Sequence, residues 1–143
     1  KKASAQTNLK FTKISEQVSQ AIQFACNELI EFPEQWSTAF PLDVYQGGAG
    51  TSINMNSNEV LANIALEHLG FQKGQYEHIH PNDHVNKSQS TNDVYPTALR
   101  LATYYSLDDL LIQIQKLIDT LHIKVAEFCD VIKRRYTFDS AYT

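Results

Sequence analysis

Two stretches of this sequence carry more hydrogen-bonding side chains than a solvated connection needs. The first is Gln46-Gly47-Gly48-Ala49-Gly50-Thr51-Ser52-Ile53-Asn54-Met55-Asn56. Its glycines free the backbone for close approach, while Thr51, Ser52, Asn54 and Asn56 supply uncharged donors near a predicted helix N-terminus. Amide and hydroxyl donors at the positive end of a helix dipole suit an anion. The same residues also read as a capped loop, and side-chain chemistry alone leaves both accounts open. A dinucleotide fingerprint does not fit, because the third glycine is missing and no strand–helix–strand unit surrounds the loop.

The second stretch is His80-Pro81-Asn82-Asp83-His84-Val85-Asn86-Lys87-Ser88-Gln89-Ser90-Thr91-Asn92-Asp93. Ser90, Thr91 and Asn92 stand where a long helix begins, again an array of donors at a positive dipole end. N-capping of that helix is the competing account. His78, His80 and His84 raise the question of a metal, but they lie in a loop and match no standard ligand spacing, so no metal site is expected. Asp83 beside His84 could act as an acid/base pair, although an exposed ion pair is the commoner outcome.

Three helices would position these loops. Ile14, Val18, Ala21, Ile22, Ala25, Leu29 and Ile30 share one face at spacings of three and four, with Leu9 five residues ahead of them, which predicts a helix over 12–32 ended by Pro33. Residues 33–56 lose that periodicity and gather Pro33, Pro41, Gly47, Gly48 and Gly50. They read as a loop of a length that is uncommon unless it does something. A second helix is predicted over 57–69, with Asn56 and Glu59 spaced as a capping box and Gly70 as its C-cap. Residues 71–90 read as irregular. A third helix is predicted from Thr91, capped by Thr91 or Asn92, with Pro96 tolerated in its first turns. Leu107, Leu110, Ile114, Leu117, Leu121, Val125, Phe128 and Ile132 keep one stripe along about 40 residues, several times the mean helix length of about 11. A helix of that length needs neighbours throughout, and a bundle built from several subunits is the expected answer. The fold class is therefore all-α.

The balance of residue types narrows the function classes. With a formal net charge of −4 and a pI near 5.7, the chain is no obvious nucleic-acid binder, and Lys133-Arg134-Arg135 is too short a cluster to change that. The two cysteines, Cys26 and Cys129, lie in apolar helical patterns, as buried thiols of a reduced compartment do. No apolar run approaches the roughly 20 residues that span a bilayer. The start, Lys1-Lys2-Ala3, has no apolar signal core. The expectation is a soluble, cytoplasmic protein.

The two polar stretches also resemble the aspartase/fumarase superfamily. Gly48-Ala49-Gly50-Thr51-Ser52-Ile53-Asn54-Met55-Asn56, with Asn58-Glu59-Val60-Leu61-Ala62-Asn63 after it, is similar to the family's first signature block. Pro81 to Asp93, followed by Tyr95-Pro96-Thr97-Ala98, is similar to the second, and the likeness covers roughly residues 1–133. The Gln46-Gly47-Gly48-Ala49-Gly50-Thr51-Ser52 and Ser90-Thr91-Asn92-Asp93 wording resembles the aspartase branch. Fumarases usually read Gly-Ser-Gly-Thr-Gln-Ser and Ser-Ser-Asn-Asp there. His80 points the other way, since it resembles a residue of a fumarase accessory anion site.

The resemblance implies reversible elimination of ammonia from L-aspartate to give fumarate, with no organic cofactor, in a homotetramer whose active sites are shared between subunits. It assigns Thr51, Ser90 and Thr91 to substrate carboxylate binding, Asn92 to orientation or amino-group contact, and Ser52 to a lesser part in the same site. It divides the chain into a partial N-terminal helical domain (1–90), the first long helix of a central bundle (91–133), and a tail (134–143) that departs from the family pattern. It also implies a general-base serine on a loop of the form Gly-Ser-Ser-x-Met-Pro-x-Lys-x-Asn, and a block with a Thr-His pair. Neither occurs in these 143 residues. The chain by itself is therefore expected to be an inactive fragment. A non-catalytic helical association module is the alternative from another class.

Overall fold

The computed structural model describes residues 1–43, 45 and 49–132, and among these there are helices and turns but no strand. Four α-helices follow one another: α1 (Lys2–Lys10), α2 (Glu16–Glu31), α3 (Thr51–His68) and α4 (Thr91–Glu127). Gln46, Gly47 and Gly48 of the first polar stretch, the basic cluster from Lys133, and the tail 134–143 lie outside the described residues.

The helix expected over 12–32 is α2, which starts four residues later than expected, and α1 precedes it outside the expected range. The chain breaks after Lys10, where Thr12 takes a left-handed φ of 54° and the Lys13 amide closes onto the Asn8 carbonyl at 2.8 Å. Ser15 then starts α2 afresh, its Oγ accepting from the Val18 amide at 3.3 Å, with Glu16 in the first turn beside the helix dipole. The step from Leu9 to Ile14 is five residues and falls at this break, where the helical spacing of three and four is lost. The two helices pack closely enough for the buried Ser19 hydroxyl to donate to the Ala5 carbonyl at 3.1 Å.

α3 starts at Thr51, six positions before the predicted Ser57. The supposed capping box fails because Asn56 Nδ2 donates to the Ala39 carbonyl at 3.0 Å and thereby ties down the short 3-10 turn Pro33–Ala39. The C-terminal expectation holds. Gly70, at φ 83°, closes α3 with its amide on the Glu67 carbonyl (3.0 Å) and the Phe71 amide on the Leu66 carbonyl (2.9 Å), a Schellman pair.

One core serves α1, α2, α3 and the following turn. Ile22, Ala25, Ala62, Ala65, Leu66 and Ile79 are fully buried, and Ala5, Ala21 and Val85 nearly so. The many alanines let the helices approach closely, which keeps α3 fixed relative to its neighbours. Between α3 and α4 the chain is not wholly irregular. Pro81–Val85 forms a π-type turn in which the Val85 amide reaches the His80 carbonyl at 3.3 Å and the Asn86 amide reaches the Pro81 carbonyl at 2.9 Å.

Lys1–Arg100 forms one compact unit, and a second begins at Leu101. In the second, α4 continues to Glu127 with no buried residue. Its predicted stripe is left open, with Leu107, Leu110, Ile114, Leu117, Leu121 and Val125 all between 41% and 67% exposed. Among the described residues no helix is long and apolar enough to cross a membrane.

Candidate functional site

The donor arrays lie at the first turns of α3 and α4, within the first unit. Gly50 precedes α3 in a left-handed conformation (φ 81°) and has no side chain with which to cap it. The first-turn N–H groups of α3 are therefore not filled by a capping side chain, which is the arrangement that anion sites use. Thr51 and Ser52 occupy that turn and both are exposed. Gly50 also has to be glycine for space, because a β-carbon there would run into the ring of Tyr95 in the second turn of α4.

At α4 the cap is Ser90, one residue earlier than expected. Its Oγ accepts from the Asn92 amide at 3.2 Å, and its carbonyl accepts from Asp93 (3.1 Å) and Val94 (3.0 Å). Thr91 and Asn92 are thus the first helical residues rather than caps. Thr91 is half-buried, while Ser90 and Asn92 are exposed.

One side chain joins the two ends. Asn54, 4% exposed on α3, places its Nδ2 3.0 Å from Thr91 Oγ1 and 3.4 Å from Asn86 Oδ1. Asn86 Oδ1 also accepts from Lys1 Nζ at 2.8 Å, and Asn86 Nδ2 donates to the Gln89 carbonyl at 3.3 Å. Burial pushes the pKa of the Lys1 ammonium down to about 8. The structure thus brings Thr51, Ser52, Ser90, Thr91 and Asn92 to adjoining helix ends. Asn86, Tyr95 and Lys1 were missed as supporting residues. The contacts that tie them to the site, Asn86 to Asn54, Lys1 to Asn86 and Tyr95 to Gly50, bridge 32 or more positions in sequence, beyond any local spacing rule.

The histidines do not converge. His78 stacks on Phe71 with ring centroids 3.9 Å apart. His80 Nδ1 lies within reach of the Asn82 (3.1 Å) and Asp83 (3.3 Å) amides and also 3.4 Å from the Asp83 carboxylate. Two backbone donors can only point at a lone pair, so Nδ1 acts as the acceptor toward both amides. His84 Nδ1 likewise accepts from the His80 amide at 2.8 Å. Burial lowers the His84 pKa from its ordinary 6.5, against a smaller upward pull from Asp83. Among the described residues no group of three His, Cys, Asp or Glu side chains could hold a metal ion.

The first unit is all-helical and presents hydroxyls and amides from two helix ends, an arrangement chemically suited to an anion. The chain belongs to the family whose model is described as Lyase, which matches residues 1–140. It is 52% identical over 133 residues to the aspartate ammonia-lyase of Escherichia coli strain K12, covering 93% of this chain and 28% of that protein. The structure described as fumarate lyase:delta crystallin from Brucella melitensis in native form matches with a TM-score of 0.82 at 50% identity, over 96% of this chain and 31% of that one. Class II fumarase from Schistosoma mansoni matches with a TM-score of 0.80 at 41% identity, over 95% of this chain and 28% of that one. The chain spans about 28% of the length of the curated relatives it matches.

Proposed function

We propose that this segment supplies the carboxylate-binding half of a carbon–nitrogen lyase that eliminates ammonia from L-aspartate to give fumarate. Removing a proton from the carbon beside a carboxylate leaves an aci-carboxylate with two negative charges. The C–N bond then breaks with its electron pair, releasing ammonia and forming the C=C bond. Fixed donors aimed at the doubly charged group are the largest catalytic term such a reaction asks of the protein. The observation that carries this reading is the pairing of two donor-rich helix ends, Thr51-Ser52 and Ser90-Thr91-Asn92, through Asn54. Uncharged donors that need no reorganisation stabilise charge as it develops.

The base is a separate matter. No stretch of these 143 residues carries the serine loop that the family resemblance calls for. Residues 1–100 therefore bind and orient, and proton removal belongs to other parts of the lyase. The open apolar stripe of α4 fits assembly with further copies into a homotetramer with shared active sites, and the cytoplasm is the proposed compartment. A fumarase reading draws on His80 and on the likeness to a class II fumarase. The 52% identity to an aspartate ammonia-lyase and the Ser90-Thr91-Asn92-Asp93 wording favour aspartate.

The test is a pair of near-isosteric changes in a full-length lyase subunit carrying this segment. Thr51→Val and Thr91→Val should each lower kcat/KM for L-aspartate by about 10²–10³ with little change in Tm. Turnover that survives both changes would remove the carboxylate-binding assignment.

A further inference from the structure

Thr91 can help an anion only if its hydrogen points away from the protein, and nothing in the hydroxyl itself ensures that. A threonine hydroxyl both donates and accepts, so its direction is set by whichever neighbour claims it. The neighbours here have fixed roles. The Gln89 carbonyl can only accept, so the Asn86 atom 3.3 Å from it is the amide nitrogen. The Lys1 ammonium can only donate, so the Asn86 atom 2.8 Å from it is the oxygen. Both contacts orient Asn86 the same way. The Asn54 atom 3.4 Å from that Asn86 oxygen must then be nitrogen. The same nitrogen lies 3.0 Å from Thr91 Oγ1, which is therefore an acceptor toward the protein.

We propose that Asn54 is a positioning residue for the lyase reaction: its buried amide donates to an inward-facing lone pair of Thr91 Oγ1 and leaves the Thr91 O–H turned outward as a donor to the substrate carboxylate. The inference rests on the carboxylate-binding reading of Thr91 given above. Asn54 touches no substrate in this account. It acts through Thr91, and Asn86, held by Lys1 and Gln89, sets the polarity of Asn54. With only 4% of its surface exposed, Asn54 has little solvent with which to exchange these bonds.

The test is a double-mutant cycle in a full-length lyase subunit carrying this segment, read as kcat/KM for L-aspartate alongside Tm. Asn54→Ala should lower kcat/KM by up to about 10²-fold, as loss of orientation does. In a Thr91→Val background the same change should cost nothing further, because no hydroxyl is left to orient. Asn54→Asp keeps the shape, but its ionised carboxylate accepts only and draws the Thr91 hydrogen inward. Its activity relative to the parent enzyme should therefore recover as pH falls and the introduced carboxyl becomes a donor. A purely structural role would give losses that track Tm and add to those of Thr91→Val, and that result would overturn the proposal. An Asn54→Asp variant with parental turnover at every pH would overturn it too. If Thr91→Val itself leaves turnover intact, the carboxylate-binding reading is what fails, and the positioning role falls with it.

Discussion

The ring of Tyr95 rests against the α-carbon of Gly50, so that a β-carbon at position 50 would overlap its Cγ and Cδ1. This contact sets the spacing between the N-terminal turns of α3 and α4. It also explains a glycine in front of α3 twice over: the left-handed φ of 81° favours glycine, and so does the aromatic face.

Gly50→Ala should therefore destabilise the protein by about 2–4 kcal/mol, combining left-handed strain with overpacking. In a Tyr95→Ala background only the strain remains, and the cost of the same change should fall to about 1–2 kcal/mol. Thermal melts of the four proteins decide the matter. A Gly50→Ala protein that melts like its parent would mean that Tyr95 does not set the spacing.

Ser90 has two roles that substitution can separate. Ser90→Ala removes the cap on the Asn92 amide and should cost about 0.5–2 kcal/mol along with turnover. Ser90→Asp keeps a good capping oxygen next to the positive helix end, so Tm should stay near the parental value. Its negative charge would face the substrate carboxylate, and turnover should vanish. An active Ser90→Asp enzyme would leave Ser90 with capping alone.

How far the sequence led differs from element to element. The stripe from Leu107 to Val125 was unambiguous because a long amphipathic pattern has one helical solution. Gly70 marked the end of α3 because a left-handed residue there completes a Schellman pair. The start of α3 was misread because Asn56 and Glu59 have capping-box spacing, yet Asn56 is used in a tertiary contact with Ala39. α1 escaped the reading because Leu9 stands five residues before Ile14, too far to continue the apolar face of α2, and residues 2–10 offer no such face of their own. Thr51, Ser52, Ser90, Thr91 and Asn92 were legible as donor-rich helix starts. That Asn54 joins them was not, since the contact to Thr91 spans 37 positions and follows only from how α3 packs.

Acid should loosen the turn that leads into α4. The folded pKa of His84 lies below its ordinary 6.5, chiefly through burial, and its Nδ1 accepts from the His80 amide. Between the two values the unfolded chain binds more protons than the folded one. Stability therefore rises with pH across that window and is lost as pH falls below about 6.5. His84→Asn keeps an acceptor oxygen and cannot titrate, so the fall in Tm from neutral to mildly acidic pH should become shallower. An unchanged slope would mean that other groups govern acid sensitivity.

The open stripe of α4 should drive association. Leu117→Lys together with Leu121→Lys puts two charges among side chains that are 58% and 54% exposed in the single chain. Sedimentation should show a smaller assembly than the parent forms, because burying those charges would be costly. Equal masses for the two proteins would show that the stripe is not the contact.

The most direct measurement follows fumarate by its ultraviolet absorbance in a full-length subunit carrying this segment, supplied separately with L-aspartate and L-malate. The account predicts fumarate from L-aspartate, none from L-malate, and none from either when residues 1–143 are tested by themselves. Fumarate from L-malate alone would contradict it and turn the carboxylate site to a hydratase.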